Sequence, residues 1–145
     1  MQEYPHHYTV AANVQSEGHV LLESSGLPSI ESAPPPEFGG PGGLWSPETL
    51  LVSAVADCFV LSFKAIARAS SMDWSSLHCE VEGILDRVDR VTQFTDFKLR
   101  VRLEVPPGTD EAKAARLLEK AESACLITSS LKSATHLDAS VTVST

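Results

Sequence analysis

The chain has 145 residues, 43% of them hydrophobic and 21% charged, with a formal charge of -8 at pH 7. That length fits one domain over residues 1–145, because two separate cores would each be marginal. The composition excludes disordered, collagen-like and coiled-coil chains, and the net acidity excludes a nucleic-acid surface, which needs Lys and Arg against phosphates.

The longest apolar zone, residues 50–67, is interrupted by Ser53, Asp57, Ser62 and Lys64, so no membrane span is expected. Met1-Gln2-Glu3-Tyr4-Pro5-His6-His7 has neither the basic nor the apolar region of a secretory signal, and the expected compartment is the cytoplasm. Cys58, Cys79 and Cys125 are odd in number and lack C-x-x-C spacing, which fits neither a disulfide-stapled scaffold nor a zinc site. His6, His7, His78 and His136 have no metal spacing with them.

In chain order, Tyr8, Val10, Ala12 and Val14 alternate with Thr9, Ala11 and Asn13 as in a half-buried strand. Gly18 then turns the chain into a hairpin partner, Val20-Leu21-Leu22-Glu23. Residues 24–46 have no period and carry Pro28, Pro34, Pro35, Pro36 and Pro41 with Gly39, Gly40, Gly42 and Gly43. A loop of this length in a small domain is usually functional or mobile.

Ser46 is a good N-cap and Pro47 is tolerated at the first helical position, while Glu48 suits the positive end of the helix dipole. The spacing predicts a helix running to about Arg68 or Ser70, apolar or small on nearly every side and therefore buried and central.

Two strands follow. Leu77, Cys79, Val81, Gly83 and Leu85 share one face of the first. In the second, Phe97, Leu99, Val101, Leu103 and Val105 alternate with Lys98, Arg100, Arg102 and Glu104, so that one face is packed and the other wet. Residues 86–95 would connect them, and Pro106-Pro107-Gly108 would end the second. Thr109 or Asp110 caps an amphipathic helix with Ala114, Leu117, Leu118, Ala121 and Cys125 on its apolar stripe. A polar stretch, 127–136, leads to a last strand with Ala139, Val141 and Val143 inward. The fold class is α+β, helices laid on a mostly antiparallel sheet.

Cys58 lies mid-helix among Ala54, Val55, Leu61 and Ser62, and Cys125 ends the stripe of the second helix. Two helices covering one sheet could bring the thiols together; equally, free cysteines pack as small hydrophobes. Cys79, on a packed strand face, reads as core.

Several segments resemble the signature of the OsmC/Ohr family, the osmotically inducible and organic-hydroperoxide-resistance proteins. They are Gly39-Gly40-Pro41-Gly42-Gly43, Ser46-Pro47-Glu48-Thr49-Leu50-Leu51, Ala54-Val55-Ala56-Asp57-Cys58-Phe59, and Cys125-Leu126-Ile127-Thr128-Ser129-Ser130-Leu131. The resemblance implies an intertwined homodimer, each subunit giving a sheet and a long central helix. It implies reduction of organic hydroperoxides by Cys58, which becomes a sulfenic acid, with Cys125 resolving it as a disulfide. A dithiol, such as that of a lipoylated protein, would restore the pair, with no metal or bound cofactor. Glu48 joins the catalytic set by the same resemblance, and His19, Phe38, Trp45, Leu51 and Phe59 would contact substrate.

Two departures bear on activation. The family's Arg-bearing turn corresponds here to Ser16-Glu17-Gly18-His19, with no Arg before Arg68, and Leu126 stands where Pro often follows the second cysteine. At 1.5 Å per residue Glu48 lies about 15 Å along the helix from Cys58, in reach only from a partner subunit or through an irregular helix start. The alternative is a non-catalytic dimeric protein of the same fold that binds a small molecule or serves in stress.

Overall fold

The computed structural model describes residues 1–145, which divide into two compact units, Met1–Leu50 and Leu51–Thr145.

The first unit is a small antiparallel meander of β1 (Ala11–Asn13), β2 (Val20–Glu23) and β3 (Ile30–Ser32), in that order across the sheet. The stretch 24–46 is therefore not wholly irregular. Three residues of it make β3, Pro36–Phe38 form a 3-10 turn, and the Ala33 N–H donates to Trp45 O at 2.9 Å. Only a few residues of this unit are sealed, among them Ser32, Ala33 and Ser46. The expected half-buried strand is short and exposed throughout: Tyr8, Val10 and Val14 keep 87%, 66% and 61% of their surface. Its alternation is real, but no element of its own unit packs on the apolar side.

Helix α1 (Pro47–Ala69) begins at the end of the first unit. The Thr49 N–H donates to Ser46 Oγ at 3.1 Å, and the Ser46 N–H donates to Thr49 Oγ1 at 2.9 Å, a reciprocal cap.

The second unit holds the rest of α1, then β4 (Ser76–Val88), β5 (Val91–Val105), α2 (Glu111–Ala124), α3 (Leu126–Ser129) and β6 (Ala134–Val143). The sheet order is β4-β5-β6, antiparallel between β4 and β5 and parallel between β5 and β6. The parallel pair follows from the helical crossover that joins its strands.

The β4–β5 hairpin is tighter than the expected 86–95 connection. Asp89 and Arg90 alone make the turn, with φ of 50° and 68°, the left-handed pair a two-residue hairpin requires. The register shifts between Ile84 and Leu85, and this bulge turns Leu85 outward, 37% exposed, although its spacing places it on the packed face.

On β5, Phe97, Leu99, Val101, Leu103 and Val105 are all at most 2% exposed. From α1 they receive Val55, Phe59, Phe63 and Ala67, and from α2 Ala114, Leu117, Leu118 and Ala121. Full burial of one such large side chain is worth about 1.5–3 kcal/mol. Asp110 is the cap of α2, its carboxylate accepting from the Lys113 N–H at 3.1 Å. Lys113 Nζ donates in turn to Ser70 O at 3.1 Å, tying α2 to the end of α1.

Helix α1 is long and apolar enough, by length and composition, to cross a bilayer, yet its stripe of Val55, Phe59, Phe63 and Ala67 is core. It is not buried all round: the stripe is sealed, and Leu61 on another side keeps 55% exposure. On β6 only Val141 of the expected inward set is half-buried, joined by Leu137, while Ala139 and Val143 are exposed, Val143 at 41%, on a strand at the sheet edge.

Candidate functional site

Each of the two longer helices carries one thiol. Cys58 sits mid-way along α1, beside the sealed Phe59, half-buried, with Ser62 Oγ 4.0 Å from its sulfur. Cys125 ends α2 and starts α3; its φ and ψ of -65° and 109° break the helix, so its side chain stands at the junction, 2% exposed. The Cys58 thiol is close enough to Cys125 to influence its ionisation. The expected convergence of two inward-facing cysteines is thus present within the second unit.

Burial raises the Cys125 pKa, but the polar groups of Thr128, Cys58 and Ile127 outweigh it and bring the thiol below its ordinary value. The Thr128 and Ser129 hydroxyls donate to the Cys125 carbonyl, at 3.1 and 2.9 Å, and the thiol itself makes no capping bond. Thr128 was not among the residues singled out from sequence. Its signal was the Cys-x-x-Thr spacing at a helix start, the interval at which a first-turn side chain meets the cap. Cys79 on β4 belongs to the same neighbourhood. Burial first, then the charge of Cys125, pushes its thiol up to about 11, so at neutral pH it is a packed, protonated group.

Of the other residues marked in the sequence, Leu51 packs against the core and Phe59 is fully buried in it. His19, Phe38, Trp45 and Glu48 belong to the first unit. His19 is exposed just before β2, and Phe38 is 59% exposed at the 3-10 turn. Trp45, 50% exposed, lines an open depression of about 300 Å³ with Gly43, Leu44 and Thr49. Glu48 Oε2 is buried with no hydrogen-bond partner. No group of three or more His, Cys, Asp or Glu side chains is placed to hold a metal ion.

Residues 40–140 match the family model described as OsmC-like protein. The chain is 30% identical to an uncharacterized Bacillus subtilis protein, YmaD, over 145 residues, 95% of each chain. It is similar in structure to an OsmC-like protein of unknown function from Vibrio cholerae, with a TM-score of 0.85 at 19% identity over 94% of this chain and 100% of that one. A Legionella pneumophila structure described as an organic hydroperoxide resistance protein OsmC aligns with a TM-score of 0.69 at 25% identity, over 97% and 99% of the two chains.

Proposed function

The chain belongs to the OsmC-like family, and from that premise we propose that it is a cysteine-based peroxidase that reduces organic hydroperoxides through Cys58 and Cys125. The observation that carries the reading is the meeting of the two sulfurs, one half-buried and one sealed, in an apolar setting. A substrate reaching the pair meets Cys58 first. Its thiolate attacks the distal peroxide oxygen, the O–O bond breaks, and the alkoxide leaves as an alcohol once protonated. Cys58 is then a sulfenic acid, and Cys125 attacks it, expelling hydroxide and closing a disulfide. A dithiol, such as that of a lipoylated protein, reopens the disulfide by exchange, and the compartment consistent with such a reductant is the cytoplasm.

The working form in this reading is a homodimer in which residues 1–145 act as one OsmC-like domain. Support comes from the apolar side chains left open in one chain: Tyr8, Val10 and Val14 in the first unit and Leu61 on α1. Glu48, with an unpartnered buried oxygen, and His19, Phe38, Trp45, Leu51 and Phe59 are the remaining members of the proposed site.

The alternative is a non-catalytic dimer of the same fold that binds a small molecule. One observation favours it: no Arg precedes Arg68, so the chain lacks the N-terminal cation expected to activate Cys58.

The test is consumption of cumene hydroperoxide by purified protein with dithiothreitol or dihydrolipoamide. Turnover is expected in the wild type and absent in Cys58→Ser, with the fold retained by circular dichroism. Equal rates in the two proteins, or no consumption by either, would leave the binding-protein reading standing.

A further inference from the structure

The face of the β4-β5-β6 sheet turned away from α1 and α2 carries a charge pattern with one exception in it. Alternation on β5 sends Phe97, Leu99, Val101, Leu103 and Val105 into the core, so Lys98, Arg100 and Arg102 stand on the other side. The register gives each of these cations one neighbour on either flanking strand. Lys98 lies between Glu82 and His136, Arg100 between Glu80 and Asp138, and Arg102 between His78 and Ser140.

Opposite charges are favoured cross-strand pairs, and the first two rows obey. The ion pairs of this face go to Arg100, which reaches Glu82 at 3.0 Å and Glu80 at 3.9 Å, and to His136, which reaches Asp96 at 2.9 Å. Arg102 has no acid on either side and makes no ion pair. The next acid on its own strand face, Glu104, is about 7 Å along β5 by the strand rise. In a chain of net charge -8, this guanidinium is left with an imidazole and a hydroxyl for neighbours.

The same row borders a depression of about 440 Å³. His78 and Glu80 line it from β4, Arg100 and Arg102 from β5, and Asp138 and Ser140 from β6. That volume is typical of small-molecule sites. Donors and acceptors are segregated within it: Arg102, His78 and Ser140 form one row, while Glu80 and Asp138 flank Arg100 in the next.

We propose that this depression binds a phosphate group, free or on a small polar ester, at the row of Arg102, His78 and Ser140. A guanidinium offers two parallel N–H donors to an oxyanion, and the imidazole and hydroxyl add one donor each from the flanking strands. A tetrahedral oxyanion has an oxygen for each of the three strands, whereas a carboxylate has two. An anion seated there also relieves the repulsion between Arg102 and a protonated His78. Glu80 and Asp138 in the next row set an upper limit on ligand charge, since they repel nucleic acid and polyphosphates. They also accept from hydroxyl groups on the organic part of an ester. The site lies on the face of the sheet opposite the core, and it stands or falls independently of the peroxidase reading.

The test is a titration of the isotope-labelled full chain with inorganic phosphate, glycerol phosphate and acetate at constant ionic strength, followed by amide chemical shifts. Both phosphate probes are expected to move the His78, Arg102 and Ser140 amides saturably, and acetate to bind about tenfold more weakly. A tighter constant for glycerol phosphate would assign the site to an ester, and an equal or weaker one to free phosphate. Unsaturable shifts scattered over the surface, no shifts at all, or acetate as tight as phosphate would overturn the proposal.

Arg102→Gln is expected to weaken phosphate about tenfold. Lys98→Gln removes the same charge from the same face, outside the depression, and is expected to leave binding within about twofold. Equal losses in the two variants would mean a general surface field and would also overturn it. Both side chains are exposed, so both variants are expected to fold, which the amide spectrum of each checks directly.

Discussion

The first and second units carry the same kind of alternating apolar pattern with opposite outcomes. On β5, Phe97 to Val105 are sealed to within 2% because α1 and α2 lie on them. Around β1, Tyr8, Val10 and Val14 alternate as regularly and stay open. A period of two states only that one face seeks cover; whether cover comes from the same unit is decided by which amphipathic helices are available to it.

The sharpest way to break that contrast is truncation on each side of it. Phe97→Ala is expected to cost about 3–5 kcal/mol in denaturant unfolding, whereas Val10→Asp in dilute monomer should stay within about 0.5 kcal/mol. If a second copy covers the β1 face, as the homodimer requires, Val10→Asp should shift sedimentation toward monomer; a wild-type profile for that variant would remove Val10 from the interface.

A smaller effect is expected at Gly83. A Cβ there would meet Val52 Cγ2 at 2.7 Å, Phe94 Cε1 at 3.0 Å and Phe97 Cε1 at 3.1 Å, so Gly83→Ala should overpack the sheet by about 1–3 kcal/mol. A neutral result would mean that the β5 side is less rigid than its burial implies.

The smallest effect is pH-dependent. Because the Cys79 thiol is raised from 9.0 to about 11 in the folded chain, its stabilising contribution is complete below pH 9 and declines as pH rises towards 11. Thermal scans of Cys79→Ala should show a shallower alkaline decline than wild type, and parallel declines would place the thiol in an ordinary environment.

Much of the second unit, and the start of α1 at the end of the first, was legible in the sequence. The β5 alternation, the Ser46-Pro47 start of α1, the Asp110 cap and the α2 stripe each have one dominant local cause. The hairpin tip was not, because Asp89-Arg90 lacks the glycine that usually marks a left-handed pair. Nor was the bulge at Leu85, where the alternation runs on through the register shift. Strand β3, three residues long, is too short to show a period.

The thiol meeting could be read because both cysteines ended inward on helices that cover one sheet. What separates them could not be weighed from apolar pattern alone, for it depends on the backbone break at Cys125, where α2 ends and α3 begins with the Cys125 side chain sealed at the junction.

The parallel seating of β6 on β5 sets an order of assembly. Contacts between distant parts of a chain form late, since the intervening segment must first be gathered in. A polypeptide emerging from the ribosome acquires Cys58 and Cys79 well before Cys125. Cys125 lies in the α2–α3 crossover that must be laid down before β6 can take its register. In the proposed peroxidase, redox competence is therefore coupled to completion: a half-made molecule holds Cys58 and Cys79 without Cys125, and the pair exists only once the crossover has closed.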